Sequence, residues 1–132
     1  MNWEDLLVSV EKPGRYIGGE VNSLRRDPAS CRLRFVLAFP DAYEVGMSHL
    51  GLQILYSILG ARPGILVERC FAPWPDMERL LRETGVPLSS LESGIHLRDF
   101  DVVGFSLQYE LCFTNVLNML DLAGIPVVAA ER

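Results

Sequence analysis

The sequence is short of the residues on which most metal and redox chemistry is built. It has three cysteines, Cys31, Cys70 and Cys112, and none stands in a CxxC or any other ligand spacing. No zinc site and no iron–sulfur cluster can be assembled from them. Odd in number and far apart, they predict reduced, mostly buried thiols in a cytoplasmic protein. No apolar run approaches the roughly 18 residues that span a bilayer. The start, Met1-Asn2-Trp3-Glu4-Asp5, lacks the basic and apolar regions of a signal peptide. Basic clusters are equally scarce: Arg25-Arg26, with Arg32 and Arg34 nearby, in a chain of net charge -5. Such a balance speaks against nucleic acid as the partner, because phosphate neutralisation needs a concentrated basic face.

What is present suits one folded domain. The chain has 132 residues, 49% of them hydrophobic and 22% charged, enough to build a core without staples. Trp3, Leu6, Leu7 and Val10 fall at helical spacing, Pro13-Gly14 interrupts, and 15–30 is polar and Gly-containing, which predicts an extended arm. From Arg32 the pattern alternates. Arg32 to Pro40 is a strand whose second half is continuously apolar, as when both sheet faces are covered. Gly46 to Gly60 is a helix with Met47, Leu50, Ile54, Leu55 and Ile58 as its apolar stripe. Ile65 to Ala72 is a second strand, with Glu68 and Arg69 suiting it to an edge. A helix opens at Pro75 and stops at Gly85, offering Met77, Leu80, Leu81 and Thr84. A short edge strand is expected around Leu88 to Leu91. Asp101 to Leu107 has the pattern of a buried third strand. The helix after it turns Phe113, Val116, Leu117, Leu120 and Ala123 inward, and Pro126 to Ala130 starts a fourth strand.

This order predicts an α/β fold: a Rossmann-like (flavodoxin-like) three-layer sandwich with a mostly parallel sheet, the first strand central. Residues 1–31 form an amino-terminal helix and arm. Residues 32–132 form a partial domain, truncated after the fourth strand. In such sheets ligands bind beyond the carboxyl ends of the strands. The loops Pro40 to Gly46 and Ser106 to Glu110 should meet there. The first loop lacks GxGxxG, and the third strand ends on Ser106 rather than a phosphate-accepting Asp, so a dinucleotide fold and a receiver are both disfavoured.

Asp41-Ala42-Tyr43-Glu44-Val45-Gly46 has the outline of the Asp-x-His-x-x-Gly loop of cobalamin-binding domains, with Tyr43 in the place of His. Ser106-Leu107-Gln108 resembles their Ser-x-Leu element, with Gln108 in the place of Leu. Longer blocks, Arg15 to Glu20, Phe39 to Tyr56, Arg69 to Glu78 and Gly104 to Pro126, resemble radical S-adenosylmethionine proteins with an amino-terminal cobalamin-binding-like domain. The resemblance implies a cobalamin site at Asp41, Tyr43, Gly46, Ser106 and Gln108. In those domains the Asp orients the cobalt-ligating His, the glycine admits the nucleotide tail, and the Ser bonds its base. A phenol with a pKa near 10 is a poorer cobalt ligand than a neutral imidazole. The resemblance also implies an iron–sulfur cluster and S-adenosylmethionine in the downstream part of the parent. This chain is therefore expected to have no catalysis of its own.

Each candidate also has a plain structural role. Asp41 can hold a turn, Tyr43 can be a core-edge aromatic, Gly46 can serve backbone geometry, and Ser106 can satisfy the strand end. His49 reads as a hydrogen-bonded helix residue rather than a replacement cobalt ligand, and His96 as surface. Asp76 and Glu110 share the same end of the sheet, and Trp74-Pro75 forms a rigid plug. Two functions stay open. One is a cofactor-binding or substrate-gating module of a radical enzyme with a degenerate cobalamin site. The other is a non-catalytic interaction or dimerisation domain of the same parent that binds no cofactor. Expected partners are the downstream radical S-adenosylmethionine barrel and a second copy of the chain, and no membrane.

Overall fold

A computed structural model describes the whole chain, Met1–Arg132. Helix α1 (Trp3–Leu6) opens on a capping box in which Asn2 and Asp5 exchange side-chain and backbone bonds. It continues as a 3-10 turn, Leu7–Ser9, and buries Leu6 and Val10 in the main core. Strand β1 (Leu33–Phe39) is followed by a short α2 (Tyr43–Met47) and by α3 (Leu50–Gly60). Then come β2 (Ile65–Phe71), α4 (Pro75–Thr84), β3 (Val102–Phe105) and α5 (Phe113–Leu122). The sheet order is β2-β1-β3, and both pairs are parallel. The first strand is central, as expected. No helix is long and apolar enough to cross a membrane.

Alternation along the strands assigns the two layers. Val36, Ala38, Leu66 and Cys70 point to one face and pack with Met77 and Leu81 of α4 and Met119 and Leu122 of α5. Leu37, Phe39, Val67 and Phe71 point to the other, under Leu52 and Tyr56 of α3. Helices on opposite faces for the two crossovers are what right-handed connections in opposite directions require. Helix α4 ends where predicted, because Gly85 takes the left-handed φ of 71° that a carboxyl-terminal cap needs.

Several expectations are corrected. The helix predicted over 46–60 breaks at Ser48–His49, where His49 is extended and its ring caps α3. Its buried face is Leu52, Tyr56 and Gly60, so the predicted stripe of Leu50, Ile54 and Ile58 lies on the exposed side. A helix apolar nearly all round gives periodicity no single answer. Leu88 to Leu91 is no strand: the Leu91 N–H bonds the Arg69 carbonyl at 2.7 Å, and Ser89 makes one bridge to His96. Pro126 to Ala130 is not a strand either. It lies exposed and leads into a 3-10 turn at Ala129–Glu131. Pro126 has no N–H to give a ladder, and β3 is only four residues long. Nor is β3 the fully buried strand its composition suggests: Val102 is exposed and Val103 to Phe105 are only half-buried. In α5, Phe113 and Leu117 also face outward.

Strand β2 is an edge in its pairing but not in its environment. Glu68 and Arg69 are both buried. Arg69 sends Nε to Glu92 Oε1 at 2.7 Å, while its backbone N–H donates to Glu92 Oε2, also at 2.7 Å. Neither side chain of the pair touches solvent. The guanidinium lies 4.1 Å over the Tyr56 ring and donates to Gln53 and Ser23. On the opposite face Glu68 accepts a bond from the Ser90 hydroxyl. Removing one partner of a buried ion pair strands the other charge. Glu92→Gln should therefore cost about 3–5 kcal/mol of unfolding free energy in urea titrations. A loss below about 1 kcal/mol would show that the pair is not the strut described here.

Candidate functional site

The carboxyl ends of β1 and β3 lie side by side, with the Ser106 N–H on the Ala38 carbonyl at 3.1 Å. The loop after β1 is held by backbone: the Asp41 carbonyl accepts the Ala72 N–H at 2.9 Å, and the Pro40 carbonyl accepts Asn115 Nδ2 at 3.0 Å. Asp41 Oδ1 accepts the Ala42 N–H at 2.7 Å, which makes it a turn residue. Its Oδ2 lies 3.5 Å from the Tyr109 hydroxyl. The carboxylate is not directed at position 43.

Tyr43 turns toward β2 rather than toward Ser106. Its ring packs edge-on against Phe71, with centroids 5.6 Å apart, and its hydroxyl donates to Glu20 Oε1 at 2.9 Å. The other oxygen of Glu20 sits 3.9 Å from Arg69. The phenol thereby joins the arm to the Arg69–Glu92 pair. Beside it, Arg15 lies 4.4 Å over the Trp74 ring and pairs with Glu44 at 2.7 Å, while the Tyr16 hydroxyl accepts the Trp74 N–H. The cavity left among Tyr16, Tyr43, Phe71 and Trp74 is only about 20 Å³, the size of one water. Gly46 is buried for packing. A Cβ there would fall 2.1 Å from the Phe71 ring.

Near Ser106 stand Gln108 and His49. Gln108 Nε2 donates to Ser106 Oγ at 2.6 Å, and its Oε1 lies 3.1 Å from His49 Nε2. His49 Nδ1 accepts the Leu52 N–H at 3.2 Å, capping α3. An acceptor Nδ1 in a neutral ring leaves the proton on Nε2, which then donates to Gln108. Sequence reasoning expected the helix role of His49 but placed it inside a longer helix, and it did not foresee the link to Gln108. It also missed Arg69, Glu92 and Glu20. Two adjacent charges inside an otherwise apolar strand were the available signal, because a buried charge demands a partner. Asp76 and Glu110 do not form a pair: Asp76 accepts the Glu11 and Met77 N–H groups at the start of α4.

These residues do not fit a His-on cobalamin. The loop position that should carry the ligand holds a phenol committed to Glu20, and the space beside Gly46 is filled by the Phe71 ring. The one imidazole at the crevice can release Nε2 to a metal only by moving its proton to Nδ1 and giving up the helix cap. The three thiols are also dispersed, with Cys70 and Cys112 buried and Cys31 partly so. Burial pushes the Cys70 thiol far up from its ordinary value.

Burial and the bond to Glu20 push the Tyr43 phenol up to about 12. Burial and the nearby Glu92 charge likewise push Tyr56 up to about 12. The ordinary value for both is 10.0. Between those limits the folded chain holds protons that the unfolded chain has released, so this stability is full below pH ~10 and is lost as the pH rises to ~12. Urea midpoints measured across that window should fall less steeply in Tyr43→Phe and in Tyr56→Phe than in the parent. Parallel slopes would count against the assignment.

A family model described as "Radical SAM proteins, N-terminal" matches residues 51–132, from α3 to the last residue. No curated protein and no solved structure matches the chain. The match covers β2, α4, β3 and α5, and leaves the Asp41 to Gly46 loop outside it. With well over half of the chain matched, and a parallel α/β sheet beneath it, the protein belongs to the family of N-terminal regions of radical S-adenosylmethionine proteins.

Proposed function

We propose that this chain is a cofactor-free accessory domain of a radical S-adenosylmethionine protein, one that acts by contact with the downstream barrel and not by holding cobalamin. The observation that carries this reading is the occupancy of the crevice by the chain's own side chains. Tyr43 is spent on Glu20, Phe71 occupies the place beside Gly46, and Gln108 bridges Ser106 to His49. A gating or cobalamin-holding module needs at least one of these groups free. An interaction domain needs them fixed, because a rigid body transmits position. The family description supports the parent class, and the dispersed cysteines leave cluster chemistry to the rest of that parent.

Three measurements test the proposal. In equilibrium dialysis against hydroxocobalamin, the parent chain and Tyr43→His should both retain no more than an unrelated protein and leave the visible spectrum unchanged. The substituted ring inherits the direction of Tyr43, toward β2, so imidazole alone restores nothing. Stoichiometric retention by either chain would overturn the cofactor-free reading. In calorimetric titration, the chain should bind the radical S-adenosylmethionine part of its own protein, produced as a separate polypeptide. Absence of binding at tens of micromolar would sink the interaction reading. By itself the chain should stay colourless after anaerobic reconstitution with iron and sulfide.

A further inference from the structure

The carboxylate of Glu20 is held as a bound ligand would be. Its Oε1 accepts the Tyr43 hydroxyl at 2.9 Å. Its Oε2 accepts the Ser23 hydroxyl at 3.2 Å and lies 3.9 Å from Arg69 Nη2. A phenol and a guanidinium that converge on one point are a donor set that recognises carboxylates. Arg69 does not depend on Glu20 for its own burial. Its Nε is paired with Glu92 at 2.7 Å, and that pair remains when Glu20 leaves, so no charge is stranded.

The loop that carries Glu20 is tied to the body by little else. No backbone group of residues 17–22 bonds a strand or a helix. Val21 is fully exposed and Ile17 more than half exposed, so neither side chain anchors the loop. Asn22 adds one exposed bond to Gln53 at 3.3 Å. The two flanks, in contrast, are seated. The Tyr16 hydroxyl accepts the Trp74 N–H at 3.0 Å. Leu24 lies against Gly60 and places its own N–H on the Tyr56 hydroxyl at 2.7 Å. Just after the first seat Gly18 and Gly19 both take left-handed φ, 74° and 85°, where glycine lets the backbone change direction at little steric cost. A loop fixed at both ends and latched in its middle by one carboxylate opens locally, without unfolding the domain.

We infer that Tyr43 and Arg69 form a carboxylate-binding site which Glu20 fills from within, and that an acidic side chain of the contacted partner takes its place on docking, an inference that rests on the accessory-domain reading. The chemistry of the occupant is set by the one already seated. A carboxylate takes the phenol on one oxygen and faces the guanidinium with the other, whereas a hydroxyl or an amide brings no charge to either contact. Glu20 is thus a resident competitor. The partner binds the fraction of chains whose latch is open, and its apparent affinity is lowered by that fraction.

Chemical rescue tests the site, and calorimetry tests the exchange. Glu20→Ala should lower the urea midpoint of the chain, and formate or acetate should recover most of that loss relative to chloride at equal ionic strength. Tyr43→Phe in the same background should abolish the recovery. A Glu20→Ala chain that formate and acetate leave unchanged overturns the site. In titrations with the radical S-adenosylmethionine part of the protein, Glu20→Gln should bind about tenfold or more tightly than the parent chain, because the amide no longer answers Arg69. Equal or weaker binding by Glu20→Gln overturns the exchange and leaves the accessory-domain reading standing. If Glu20→Ala does not fold, this comparison decides alone. Binding by neither chain removes the accessory-domain reading, and recovery by formate then assigns the site to a free carboxylate and overturns the partner as its occupant.

Discussion

Arg69 and Glu92 hold together parts of the chain that are distant in sequence. The guanidinium leaves β2, meets a carboxylate from the segment between α4 and β3, lies on Tyr56 of α3 and reaches Ser23 and Glu20 of the arm. Burying two charges is costly unless every remaining donor and acceptor finds a partner. Arg69 finds them in three parts of the chain at once, the 86–97 segment, α3 and the arm. Burial pushes the Glu92 carboxyl upward, against the pull of its Arg69 bonds. A single hydrophobic substitution on either side would leave the other charge stranded, which makes the pair a register pin as much as a source of stability. It forces the arm, α3 and the 86–97 segment into one arrangement around β2.

That arrangement has consequences at the carboxyl ends of the strands. Because Glu20 is drawn in beside Arg69, it is placed to take the Tyr43 hydroxyl, and the ring follows the bond toward β2. Because Phe71 ends the strand that carries Arg69, its ring lies where a side chain on Gly46 would have to go. The crevice at the ends of the strands is a packed wall on the β2 side and a polar chain, Ser106–Gln108–His49, on the β3 side. A loop outline such as Asp-x-x-x-x-Gly does not by itself signal a cofactor. Turn formation and close packing ask for the same residue types as a cofactor does.

The two edges of the sheet are treated differently. The β2 edge is closed by a single backbone bond from Leu91 and by the buried charges beneath it. The β3 edge has no strand beyond it.

The sequence by itself determined the alternation of strands and helices, the parallel sheet with β1 in its middle, and the stop of α4 at Gly85. These follow from local chemistry: β-branched and apolar runs, caps, and glycine at positive φ. Most of the rest depended on partners far along the chain. Which stripe of α3 is buried could not be decided from periodicity, because two stripes qualify and only the position of Tyr56 under Arg69 selects one. Whether Pro126 to Ala130 pairs depended on a neighbour, not on its own composition. At the site, the sequence located the loops that meet, but not the direction of Tyr43. A phenol turns to the acceptor it can reach, and Glu20 becomes reachable only when the arm has folded back across the sheet, so that orientation was left to the tertiary structure.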